Sequence, residues 1–199
     1  MTPIQPKSIS QFGLVKYSIN FIAVHFLIIF GAGLIAAFGR AIQLGAVGEI
    51  SGIANGLLEI IVASVRILTF LLVIGAGSIS EGVRRVKSIF HLSRPQWYSI
   101  WSVVLARLRV NWIGLIVNLL AYSAIAVIIN FVIDKLVFNT DILKILQNYH
   151  ILAPNTSEWV LLLFLKNISV IPFTIIFNGV ILLWITNNLS GNEKSIRKS

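Results

Sequence analysis

Apolar residues run almost unbroken through four stretches of this chain, near residues 17–38, 57–79, 111–133 and 159–187. Each reaches the roughly 20 residues that a helix needs to cross about 30 Å of hydrocarbon. Such runs keep no polar face for water, so they predict helices in lipid rather than halves of a soluble core. Between the second and third stretches the pattern changes. Trp97, Ile100, Trp101, Val104, Leu105 and Leu108 recur at helical spacing along one face. Ser93-Arg94-Pro95-Gln96 precedes them as a capping-box pattern, and Leu92 and Trp97 are spaced as a hydrophobic staple. The spacing predicts a basic amphipathic helix over 96–109, lying at the membrane surface or forming the protruding start of the third helix. A shorter amphipathic piece is expected after Thr140, with Thr140 as its cap and Ile142, Ile145 and Leu146 on its apolar side.

The expected fold class is therefore all-α. It is a polytopic integral membrane bundle of four transmembrane helices plus an interfacial amphipathic helix, forming one membrane domain over 1–199. Composition agrees, with 57% hydrophobic and only 12% charged residues. The polar stretches between spans are too short to bury cores of their own. The first stretch is too long for the apolar region of a signal peptide, and Ala37-Phe38-Gly39 is a poor cleavage site. It is read as a span.

Charge gives the expected orientation. With the N-terminus inside, the inner segments carry Lys7, Lys16, Arg84, Arg85, Lys87, Arg94, Arg107, Arg109, Lys194, Arg197 and Lys198, while the outer segments carry Arg40, Lys135 and Lys144. This positive-inside bias puts both termini on the cytoplasmic side. Tyr17, Trp112 and Trp184 then fall at inner ends of spans and Trp159 at an outer end, as interfacial anchors do. The net charge of +9 is read as topogenic and as attraction to anionic inner-leaflet lipids, not as a nucleic-acid surface. Trp97, Trp101, Arg107 and Arg109 are the expected contacts to lipid or to a partner subunit. The chain has no cysteine, which excludes disulfides, thiolate metal sites and cysteine nucleophiles.

Polar groups within the apolar stretches supply the candidate site. Asn55, Glu59 and Arg66 share one helical face, and Lys166 and Asn167 lie in the fourth span. An ionisable group at membrane depth is costly and needs a partner or a polar cavity. Glu59 and Arg66 stand about 10 Å apart along the axis, too far for a helical ion pair, so Arg66 must look elsewhere. Pro172 removes a backbone donor and crowds the carbonyl of Ile168, which predicts a kink in the fourth span. Asn118 and Tyr122 lie four apart on one face of the third. Gly48, Gly52 and Gly56 make a GxxxGxxxG register, which exposes backbone for close helix packing. On the opposite side Ile42, Ala46, Ile50, Ile53, Leu57 and Ile61 recur at helical spacing, which predicts a second helix starting near Ile42 or, alternatively, a re-entrant or interfacial half-helix there. Gly31-Ala32-Gly33 and Gly75-Ala76-Gly77 suggest close packing of the first two spans on each other. His25 lies in the first span and is a weak candidate to ligate haem or a pigment, since His91 and His150 fall in loops.

No paired carboxylates, zinc motif, phosphate loop or nucleophile elbow is present, so no catalytic activity, cofactor or metal is expected. The expected function is a non-catalytic subunit that scaffolds a larger membrane protein complex, with other membrane subunits or copies of itself as partners. Two alternatives stand beside it. One is a small channel or transporter with a cationic polar vestibule for an anion, proton or polar solute. The other is an electron-transfer or pigment subunit using His25.

Overall fold

The computed structural model describes residues 10–186. Lys7, Lys194, Arg197 and Lys198, counted above for orientation, lie outside the described residues. The described chain is all-α: α1 Gly13–Val24, α2 Phe26–Gln43, α3 Gly52–Ile74, α4 Ile79–Phe90, α5 Arg94–Phe138, α6 Ile142–Asn148, α7 Glu158–Ile168 and α8 Val170–Ile185. Four segments are long and apolar enough to cross a membrane: Phe26–Gln43, Gly52–Ile74, Arg94–Phe138, and Glu158–Ile185 across α7 and α8. This is a multi-pass membrane protein.

The interruptions follow local chemistry. α1 and α2 are parted at His25, whose φ of −106° and ψ of 26° leave the helical region. The 45-residue α5 joins the expected amphipathic helix to the third span, with the break at Asn111 (φ −118°, ψ 17°). The piece over 96–109 is therefore the start of α5, the second of the two forms expected for it. The kink predicted from Pro172 is present. α7 ends at Ser169 (φ −126°, ψ −80°), one residue past the carbonyl that the proline ring crowds.

Three expectations change. α3 begins at Gly52, not near Ile42, because α2 continues to Gln43 and the chain then turns. Gly48 sits in that turn with φ +96°, a conformation that favours glycine, so it belongs to no helix. Thr140 does not cap α6. Asp141 holds the cap position, and the Thr140 hydroxyl donates instead to the Leu136 carbonyl at the end of α5. Third, α4 occupies what reads as loop. Its cap is Ser78, whose Oγ accepts the Glu81 N–H at 3.4 Å, so Ser78-x-x-Glu81 is the N-terminal signal that a reading by apolar stretches passes over.

Contacts fall into two compact units, and the division cuts across α1, α3, α5 and α8 rather than between spans. Among described residues the first holds 10–21, 70–123 and 176–186. Its core is Leu14, Val15, Phe21, Leu72, Val73, Ile176, Phe177 and Val180. Tyr122 stacks on Phe177 with ring centroids 4.3 Å apart. Gly82 brings α4 against α3, since a Cβ there would lie 2.1 Å from the Leu71 carbonyl oxygen.

The second unit holds 22–69 and 124–175. Here α2 packs along α7. Ala41, Ala46 and Val160 form one cluster, and Ile133, Val137 and Leu162 another. A Cβ on Gly33 would stand 3.1 Å from the Asn167 carbonyl oxygen. Small residues let backbones approach in lipid, where dispersion replaces the hydrophobic drive between helices. The expected pairing of the first two spans is corrected in part: Gly33 meets α7, Gly75 meets the α4 backbone, and only Gly39 meets α3, at Val62.

Candidate functional site: the polar locus at Arg66 and Asn167

Arg66 lies near the middle of α3, and Asn167 is the penultimate residue of α7. The Arg66 Nη2 donates to Asn167 Oδ1 at 2.8 Å. Asn167 is 1% exposed and donates through Nδ2 to the Leu163 carbonyl at 2.7 Å, which fixes the amide so that its oxygen faces the guanidinium. The C-terminal end of α7 adds carbonyl charge of the sign that a cation favours. Arg66 Nε is buried with no hydrogen-bond acceptor. It borders a crevice lined by Gly33, Ala36, Thr69, Asn167 and Pro172, whose volume is about 10 Å³. That holds about one water molecule.

The other candidate residues are placed apart from this contact. Glu59 does not balance Arg66 directly. Its carboxylate takes Arg40 Nη1 at 2.6 Å and Arg40 Nη2 at 2.9 Å, a two-point pair that Gln43 Nε2 joins at 3.3 Å. Arg40 reads as a loop charge in the sequence, but it sits in the last turn of α2. Asn55 takes part through its backbone, its carbonyl accepting from Gln43 Nε2 at 3.0 Å. Lys166 does not join Arg66 either; its Nζ stands 3.9 Å from Asp134 Oδ1. Asp134 is the second partner that sequence reasoning missed.

Among the described residues the glycine register is not a packed face. A Cβ added at Gly48, Gly52 or Gly56 would meet nothing within 4 Å. His25 occupies the α1–α2 interruption, His91 the C-cap of α4 and His150 the α6–α7 loop. Among the described residues no group of three histidine or acidic side chains could hold a metal.

The surface residues divide. Trp97, Trp101 and Arg109 are exposed. Arg107 is not a lipid contact: it is buried, and its Nη1 donates to the Trp184 carbonyl near the end of α8. Asn111 Nδ2 donates back to the Arg107 carbonyl at 3.2 Å. Arg85 does the same for α3, donating to the Ile74 carbonyl at 2.7 Å. Two arginines thus close the last carbonyls of two spans, where a helix end needs donors. Glu81, outside the spans, accepts from Arg84 Nε and Nη2 at 2.8 Å each and from Arg85 Nε at 3.0 Å. These donors, Arg84 first, hold its carboxyl below the ordinary value. Asn118 is fully buried, and its Oδ1 accepts the N–H groups of Leu14 (2.9 Å) and Val15 (3.2 Å). It serves as the N-terminal cap of α1 from another helix.

The arrangement can hold helices at fixed register and depth. No family model, no curated protein and no solved structure matches this chain.

Proposed function

We propose that this chain is a non-catalytic multi-pass membrane subunit, which scaffolds a larger membrane assembly with its termini and the α4–α5 segment on the cytoplasmic side. The observation that carries the reading is the engagement of the polar groups within and at the ends of its spans. Arg66 is tied to Asn167, Glu59 to Arg40 and Arg107 to a backbone carbonyl. The crevice beside Arg66 admits about one water, too little for a solute. Polar groups used in this way lock helices together and leave little to handle a substrate. The open faces of Gly52 and Gly56 on α3 give another membrane helix a place to pack.

A channel or transporter is the second reading. Arg66 Nε, buried without an acceptor beside the α7–α8 break, is the observation that favours it.

Purification in mild detergent followed by native mass measurement separates the two. The subunit reading expects a defined complex heavier than the single 22.0 kDa chain. A lone monomer that transports in liposomes overturns it. Ser88, exposed on α4, tests orientation: Ser88→Cys should react with impermeant thiol reagents from the cytoplasmic side only.

A further inference from the structure

The segment from α4 into the first turns of α5 carries an organised surface that the contacts above do not use. At about 100° per residue, Ile79, Val83, Val86 and Phe90 make one apolar stripe on α4. Gly82 and Arg85 lie on one flank of the stripe, and that flank is packed. Gly82 is buried against Leu71, and Arg85 holds the Ile74 carbonyl. The stripe itself is open at its end, with Phe90 82% exposed. Arg84 and Lys87 line its other flank, both exposed.

A three-residue turn leads into α5, whose outward side repeats the scheme. Tyr98 is 77% exposed, with Trp101 and Leu105 beside it on the same face. Arg94 and Arg109 stand at the two ends of that face, both exposed. Arg107 points the other way, into the bundle. Arg84 is already engaged by its two-point contact to Glu81. Lys87, Arg94 and Arg109 enter none of the ion pairs among the described residues.

An exposed apolar and aromatic stripe with cations along its edge is the chemistry of a helix lying at the boundary between acyl chains and headgroups. A purely hydrocarbon environment would leave the cations unsolvated, and a water-facing surface would leave five large apolar side chains wet. Phosphate oxygens beside acyl chains satisfy both. We propose that the α4–α5 elbow binds the headgroup of an anionic phospholipid, with Lys87, Arg94 and Arg109 as its cations and Phe90, Tyr98 and Trp101 set among the acyl chains. Arg85 and Arg107 position the elbow by clamping the ends of α3 and α8.

The full chain, reconstituted in nanodiscs of phosphatidylcholine doped with phosphatidylglycerol and then extracted in mild detergent, is assayed for the ratio of the two lipids it retains. The wild type should be enriched in phosphatidylglycerol. Each of Lys87→Gln, Arg94→Gln and Arg109→Gln should lower the enrichment about fivefold, and the triple variant should abolish it. Lys144→Gln, on α6, should leave it unchanged. Absence of enrichment in the wild type overturns the assignment, as does undiminished enrichment in a triple variant of normal helicity. Should the triple variant fail to fold, the single variants decide by the same criterion. Loss of a co-purifying acidic protein with lipid retention intact also overturns it and gives the elbow to that protein. Association mass is read on the same samples, so failure of the subunit reading shows there and not in the lipid ratio.

Discussion

The two compact units use polar side chains in different ways. In the unit built from 10–21, 70–123 and 176–186, the long-range polar contacts end on backbone. Asn118 accepts from two N–H groups of α1, Arg85 donates to the end of α3, and Arg107 to the end of α8. In the unit built from 22–69 and 124–175, ionisable side chains meet other side chains: Arg66 with Asn167, Arg40 with Glu59, Lys166 with Asp134. A backbone group cannot be deleted or made to titrate, so the first mode works as fixed capping of helix ends. A side-chain pair can lose either member, so the second mode is sensitive to substitution on both sides.

The largest effect should come from removing a cap that serves two backbone donors at once. Asn118→Leu leaves the Leu14 and Val15 N–H groups buried without acceptors, at a cost of about 2–4 kcal/mol. Reversible unfolding in mixed micelles should show this loss, and α1 should become the first segment cut by protease. A stability within about 0.5 kcal/mol of wild type would mean that water or another group caps α1.

Close backbone contact gives the next test. Gly82→Ala places a methyl 2.1 Å from the Leu71 carbonyl oxygen, where backbone itself must move, and should cost about 1–3 kcal/mol. Gly33→Ala in the other unit meets the Asn167 carbonyl oxygen at 3.1 Å and should cost less, since a shift of a few tenths of an ångström relieves it. Equal losses in the two variants would contradict the geometry.

The Arg66–Asn167 contact suits a double-mutant cycle. Asn167→Leu strands a partly buried guanidinium, while Arg66→Leu strands a buried amide but also removes a charge from hydrocarbon. Asn167→Leu should therefore cost more, about 1–2 kcal/mol after allowance for the exposed part of Arg66. The double variant should recover most of that loss. Additive losses would show that the two side chains do not depend on each other.

How far these contacts were legible depends on where the partner lies. The four apolar stretches, the kink before Pro172 and the need of Arg66 for a partner outside its own helix follow from the composition of the spans. Asn167 was within reach because it is one of the few polar side chains at depth. Arg40 was not, because its apolar stretch reads as ending near 38 while α2 continues to Gln43. The helical spacing of Ile42, Ala46, Ile50, Ile53, Leu57 and Ile61 misplaces the start of α3, because apolar spacing alone does not mark the turn between Gln43 and Gly52. Arg107 reads as a surface cation because its acceptor is a carbonyl, and every residue has one. The cap supplied by Asn118 is hidden for the same reason.

The smallest effect should be the pH response, and it sharpens the comparison by its location. Within the first unit, the contacts of Asn118 and Arg107 involve no group that titrates in the acid range. Glu81, held by Arg84 and Arg85, does titrate. Its folded-state pKa lies below the ordinary value of 4.5. The stabilisation it gives α4 is therefore complete above that ordinary value and is lost as pH falls through the depressed one. Because the carboxylate also stands in the first turn of α4, protonation removes a favourable charge from the helix N-terminus as well. Helical chemical shifts of α4, followed from about pH 6 to about pH 3, should weaken first near Glu81, while the shifts of Leu14 and Val15 stay constant. Glu81→Gln should flatten the α4 response. A response in α1 that matches α4, or one that persists in Glu81→Gln, would place the acid-sensitive contact elsewhere.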